Sequence, residues 1–268
     1  MKKRLFALTL ALCLLLALTA CGAKTDDKTV VIGATPAPHC EILEIAKEQM
    51  AAAGYTLEIK EFNDYVVPND SVEQGELDAN YFQHITYMNS FNEEHGTHLV
   101  SVAGIHYEPF GLYAGKCASL EELADGAQIA VPNDSSNEAR ALLLLQQEGL
   151  ITLKEGVGLS ATKDDIVENP NNYEIVEMAA EQLPRTLQDV DMAVINGNFA
   201  IDAGLKVSEA VAVEAADGAA AEAYVNVLTV KEGNEDNEGI QALVKALQSE
   251  EVRAFIEETY EGAVVPLF

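Results

Sequence analysis

The chain has 268 residues, of which 49% are apolar or aromatic, an ordinary globular fraction and enough for two modest domains or one large one. Sixteen Lys and Arg against 44 Asp and Glu give a formal net charge of −28. Nucleic acid is thereby excluded as a partner, since its phosphates would be repelled.

Met1-Lys2-Lys3-Arg4 is basic, residues 5–18 are almost wholly apolar, and Leu18-Thr19-Ala20-Cys21 ends the run on small residues and a cysteine. That order reads as a bacterial lipoprotein signal over residues 1–20, cleaved before Cys21, whose thiol carries the lipid. An ordinary secretory signal or an uncleaved anchor are the alternatives, but the apolar run is short for a span of about 20 residues. Several acyl chains, at about 0.8 kcal/mol per buried methylene, hold a protein on a bilayer. The expected place of work is the outer face of the cell membrane, outside the cytoplasm. Of four cysteines, Cys13 leaves with the signal and Cys21 is lipidated. Cys40 and Cys117 remain and, having no spacing motif, are expected to be free thiols.

Residues 21–28 form a polar tether. Residues 29–35 then read as a buried strand, the period of Ile42, Leu43, Ile45, Ala46 and Met50 as a helix stopped at Gly54, and residues 56–62 as a second strand. Asn69 is a candidate helix cap, residues 77–82 a third strand, Ile85 to His95 a helix, and residues 99–105 a fourth strand running into a crossover near Pro109. Ser119 to Glu122 and Ser135 to Glu138 have the form of capping boxes, the second opening a helix from Asn137 to Glu148. Further helix–strand pairs run through Thr162-Lys163-Asp164-Asp165 to residues 173–176, and from Pro184 to residues 192–195. Residues 215–223 suit a surface loop beside the return crossover, residues 224–230 a strand, and two amphipathic helices close the chain. Strands alternating with helices predict an α/β protein of two lobes, each a mostly parallel sheet flanked by helices. The expected division is 29–109 with 222–268 for lobe 1 and 110–221 for lobe 2, joined by two crossovers.

Ligands of open α/β sheets bind beyond the carboxyl ends of strands, here just after Thr35, Phe62, Phe82, Val131 and Ile195. These segments carry His39, Asn63-Asp64-Tyr65, Gln83-His84 beside Phe82, residues 132–140, and Asn196-Gly197-Asn198. Asn137 and Arg140 share a helical face, and a guanidinium there can grip a carboxylate with two parallel bonds. A salt bridge to Glu138 or another acid is the competing reading for Arg140. Hydrolase elbows, phosphate loops and His-Glu-x-x-His are missing from the sequence, so binding is expected rather than catalysis. His95 and His98, with His39, His84 and His106, raise a zinc-capturing lipoprotein as an alternative, although Gly96 interrupts the pair.

Gly33-Ala34-Thr35, Pro38-His39, Glu41-Ile42-Leu43, Phe62-Asn63-Asp64-Tyr65-Val66, Pro68-Asn69, Asp78-Ala79-Asn80 and Phe82-Gln83-His84 occur in order. Ala130-Val131-Pro132-Asn133-Asp134, Asn137, Arg140, Leu142 to Leu145, Val167-Glu168-Asn169-Pro170, Gln182-Leu183-Pro184-Arg185 and Ala193-Val194-Ile195-Asn196 follow. Together they closely resemble the methionine-binding lipoproteins of the NlpA family, over essentially the whole chain after Cys21. The resemblance implies a two-lobed periplasmic-binding-protein fold of the second type that closes on methionine and delivers it to an ABC transporter permease, with no cofactor and no metal. A methionine-containing dipeptide or another apolar amino acid is the alternative ligand. By position it implies that Arg140 holds the ligand carboxylate, Asn137 and Asn196 complete the polar contacts, and Tyr65, Phe82 and His84 line the side-chain pocket, with His106 and Glu108 nearby. Cys40 and Tyr81 depart from the family's usual residues.

Overall fold

A computed structural model of the chain describes residues 28–215 and 218–268. The signal and Cys21 lie outside the described residues. The chain opens with β1 (Thr29–Ala34), α1 (Glu41–Ala52), β2 (Thr56–Glu61), α2 (Val67–Gln74), β3 (Ala79–His84), α3 (Ile85–His95) and β4 (Leu99–Tyr107). It continues through β5 (Gly111–Ala114), β6 (Gln128–Pro132), α4 (Ser135–Gln147), a hairpin of β7 (Thr152–Leu153) and β8 (Ile166–Glu168), and β9 (Glu174–Met178). Then come α5 (Leu183–Thr186), β10 (Met192–Ile195), α6 (Gly197–Asp202), β11 (Ala212–Val213), α7 (Gly218–Ala223), β12 (Asn226–Lys231), α8 (Glu238–Leu247), α9 (Glu250–Tyr260) and β13 (Val265–Pro266).

Two sheets organise these elements, a six-stranded one of order β13-β4-β12-β3-β1-β2 and a five-stranded one of order β11-β5-β10-β6-β9. Each is parallel where βαβ units build it, in β2-β1-β3 and β9-β6-β10. Each is antiparallel where the crossover strands enter, as in β4-β12-β3 and β10-β5-β11. The expected mostly parallel character therefore holds for one half of each sheet. The reason is topological: a strand arriving from the other sheet has no local helix to reverse its direction. We propose that the sheets core two lobes, 29–109 with 222–268 and 110–221.

Local chemistry sets several boundaries differently from the sequence expectation. Asn69 does not cap α2; it sits inside the helix, fully buried, bonded to Gln83 and Asn80, while Asp64 accepts from the amides of Val66 and Val67. Helix α4 starts two residues early because the Asp134 carboxylate, one residue before Ser135, accepts from the Asn137 amide at 3.0 Å. Ser119 makes no cap bond, and its segment is a single 3-10 turn. The helix expected from Thr162 is one 3-10 turn, closed by a Thr162–Asp165 capping box, because Ile166 is already extended to pair with β7. Residues 218–223 are helical rather than loop.

Cores form on both sides of the cleft. Ile32, Leu43, Met50 and Leu243 belong to one under the first sheet, and Ile129, Leu142, Leu145 and Val194 to one under the second. Gly115, just past β5, donates its amide to Asp191 while its α-carbon faces backbone carbonyls: an added methyl would stand 2.4 Å from the Val190 oxygen and 2.6 Å from the Leu187 oxygen. Gly115→Ala is expected to destabilise the protein by at least about 2 kcal/mol, since backbone cannot yield as a side-chain tip can. Urea unfolding measures it; an unchanged midpoint would contradict this packing.

Candidate ligand cleft

Between the two sheets lies a small cavity, lined by residues that include Tyr65, Phe82, His84, Glu108, Asn137, Arg140 and Asn196. Seven of the eight site residues expected from sequence thus meet around one space. The eighth, His106, lies behind the wall and is fully buried.

The wall is aromatic on one side. Tyr65 stacks on Phe199 with centroids 4.8 Å apart, tilts against Phe82 at 5.5 Å and meets Tyr87 edge-on at 5.4 Å. Its hydroxyl donates to Asn198 Oδ1 at 2.5 Å. Tyr65 follows β2 while Phe199 and Asn198 lie on α6, so this ring spans the cleft.

The other side is polar and ordered by the start of α4. Asn137 donates to both oxygens of Asp134, and this fixes its own carbonyl toward the cavity, where it accepts from His84 Nε2 at 3.1 Å and Asn196 Nδ2 at 2.9 Å. His84 Nδ1 accepts from the Tyr87 amide, so the ring carries its proton on Nε2. Burial first, then the nearby Arg140 charge, pull its pKa down to about 3, leaving a neutral imidazole. Asn196 Oδ1 is buried with no hydrogen-bond partner.

Arg140 makes the salt bridge of the competing reading, with an acid other than Glu138. Its partner is neither Glu138, which accepts from the Lys163 amide, nor any acid on its own helix, but Glu214, just after β11. Nε donates to Glu214 Oε2 at 2.9 Å, and Nη2 donates to Glu214 Oε1 and to the Glu108 carbonyl. Tyr224 and Phe110 present their faces to the guanidinium at 4.0 and 4.6 Å. Burial works to lower the Arg140 pKa, but Glu214 more than reverses it; the same pair, against its own burial, holds the Glu214 carboxyl below the usual range. Nη1 makes no hydrogen bond to the described residues. Glu214 was not legible in the sequence: it is one acid among many, 74 positions from Arg140. Asn198 and Asn226 also line the cavity, and Asn198 was at least part of the quoted Asn196-Gly197-Asn198 turn.

The histidines do not assemble as a five-membered metal set. His95 stacks on Phe91 at 4.1 Å, and exposed His98 faces Glu73. Among the described residues only His39, His106 and Glu108 bring donor atoms together, within 4.8 Å of one another. Their hydrogen bonds are already complementary: His106 joins Tyr81 through Nδ1 and Glu108 through Nε2, and His39 joins Thr35 and Asn226. Cys40 and Cys117 are both free.

Two α/β sheets facing each other across a cleft with one free guanidinium nitrogen, an unpaired amide oxygen and an aromatic wall define the architecture of solute-binding proteins. The solved structures similar to this chain include one from a Ruminococcus gnavus protein, at 57% identity and a TM-score of 0.89, covering 90% of this chain and 100% of that one. Another is a nutrient binding protein from Burkholderia cenocepacia bound to methionine, at 41% identity and a TM-score of 0.85, covering 89% and 100%. The chain belongs to the NlpA lipoprotein family, whose model matches residues 30–268. A D-methionine-binding lipoprotein of Salmonella typhimurium is 41% identical over 269 residues, 98% of each chain.

Removing the carboxylate opposite Arg140 leaves a buried, unpaired guanidinium. Glu214→Ala is therefore expected to lower the stability of the unliganded protein by about 3–5 kcal/mol. Chemical denaturation reads this directly, and a loss below about 1 kcal/mol would mean that the pair is solvated in solution.

Proposed function

We propose that this protein is a lipid-anchored, extracytoplasmic solute-binding protein of an ABC importer, which closes on methionine and presents it to a membrane permease without chemical turnover. The observation that carries the reading is the pairing inside one cavity of a guanidinium with Nη1 still unbonded and a buried amide oxygen with no partner. An α-amino acid supplies both complements, a carboxylate for Arg140 and an ammonium for Asn196. The rings of Tyr65, Phe82 and Tyr87 suit a thioether, whose contacts with aromatics contribute about 0.3–1.5 kcal/mol each. Relatives named for methionine binding, and one solved with methionine bound, support the same ligand.

The lobes touch across the cleft through Tyr65 with Phe199 and Asn198, His84 with Asn137, and Ser135 with Glu94. Opening them would expose the cavity, and closing would remake these contacts around the ligand, a hinge motion.

Titration calorimetry of methionine into ligand-stripped protein tests the reading. Wild type is expected to bind, and Arg140→Lys to lose at least about tenfold in affinity, because an ammonium cannot hold Glu214 and a second carboxylate in one planar fork. Lysine keeps a charge beside Glu214, so the unliganded fold should survive; a wild-type dissociation constant in this variant would remove Arg140 from the site. Growth with a labelled fatty acid checks the anchor. Label is expected on the wild-type protein and none on Cys21→Ser.

A further inference from the structure

Arg140 lines the cavity with its charge already matched, and the match is buried: the two side chains of the Arg140–Glu214 pair are 5% and 9% exposed. Glu214 takes Nε at 2.9 Å and Nη2 besides, while Nη2 also donates to the Glu108 carbonyl at 2.8 Å. Only Nη1 carries no bond to the described residues. Glu214 is held as firmly from its other side. Its Oε1 accepts from the Tyr107 hydroxyl at 2.6 Å and from the Phe110 amide at 2.9 Å, so the carboxylate cannot swing away from the guanidinium without losing both.

The rings of Tyr224, Phe110 and Tyr107 flank the guanidinium, with centroids 4.0, 4.6 and 5.8 Å away. Burial keeps both phenols uncharged, Tyr224 pushed up to about 12 and Tyr107 well above its usual range. Among the described residues Glu214 is therefore the one charged group that pairs with Arg140. A bare buried guanidinium would attract any anion, and a doubly charged one most. With Glu214 in place, every negative charge on a ligand's headgroup is added beside a charge already balanced, in surroundings of low polarity where repulsion between like charges is strong.

We propose that Glu214 is a specificity-determining residue that limits the ligand's headgroup to a single negative charge, acting through Arg140 without touching the ligand. This deepens the amino-acid reading above and rests on it. A singly charged carboxylate takes the one open nitrogen, Nη1. A phosphonate or phosphate on the same skeleton brings a second negative charge to the same place and is refused for its charge, even where its shape fits.

Titration calorimetry with methionine and its phosphonate analogue, 1-amino-3-(methylthio)propylphosphonate, tests this in wild type, Glu214→Gln and Glu214→Asp. The two probes share their amino group and side chain and differ at the headgroup, which in the phosphonate is doubly charged at about pH 8, taking the second pKa of a phosphoryl group as about 6. Wild type is expected to prefer methionine. In Glu214→Gln the ratio of the two affinities should move toward the phosphonate by at least about tenfold, whatever the variant loses in stability. Glu214→Asp keeps the charge and should keep the wild-type ratio. An unchanged ratio in Glu214→Gln, or an equal shift in Glu214→Asp, would make Glu214 merely structural and overturn the proposal. Wild type supplies a second measurement that does not depend on either variant folding. Lowering the pH from about 8 to about 5 leaves the phosphonate singly charged, and its affinity relative to methionine should rise at least about fivefold; a flat ratio overturns the proposal. Methionine binding together with any of these failures sinks this inference alone, whereas wild type that fails to bind methionine rejects the proposed ligand and this inference with it.

Discussion

The buried ion pair between Arg140 and Glu214 is the constraint on which the cleft depends. Glu214 also accepts from the Tyr107 hydroxyl and the Phe110 amide, so one carboxylate fastens the outgoing crossover, the return crossover and helix α4 together. Removing two charges from water costs several kcal/mol each, and only good geometry with further hydrogen bonds offsets this. Here the bidentate contact, two added donors to the carboxylate and two flanking rings supply that geometry. The arrangement presents Arg140 to the cavity in a fixed orientation while its net charge is already balanced.

Charge balance then shapes the rest of the site. With Arg140 neutralised from behind, the cavity presents one acidic side chain, several amides and one neutral imidazole, that of His84. Such a lining suits a molecule carrying both charges rather than a simple anion. Asn137 shows how finely the polar side is set: its amide donors are used up on Asp134, so its carbonyl can only accept, and it fixes His84 and Asn196 together. The helix cap and the ligand wall are the same group of atoms.

The aromatic side ties the two sides of the cleft together. Tyr65 packs at the edge of a core on each side of the cleft, one with Phe82 and Tyr87 and the other with Phe199. An open form would leave these rings partly solvated, so closure gains apolar burial as well as polar contacts. On the proposed reading, a ligand bound between them would add to both and shift the population toward the closed form.

Much of this could be read in the sequence because the signals were local. The apolar run of β1, the period of α1 and the glycine stop after α3 each specify an element within a dozen residues. Strand ends pointed to Tyr65, Phe82, Asn137, Arg140 and Asn196 because ligand sites follow strand termini in this class of fold. The family motifs joined those residues into one site. What tertiary structure alone decided were pairings between distant residues of common type. Glu214 is chemically identical to many acids in this chain, and nothing near it in sequence marks it as the partner of Arg140. Asn69 has the composition of a cap but is drawn into a buried amide cluster by Gln83 and Asn80, which reach it only through sheet packing. The histidines divide in the same way. Spacing could show that His95 and His98 were poorly placed for a shared ligand, but only the folding of β1 against β3, β12 and β4 brings His39 to His106 and Glu108. Local sequence determines which hydrogen bonds a segment can make with itself; burial chooses among the many distant partners, because inside the protein an unpaired polar group costs more than any local preference contributes.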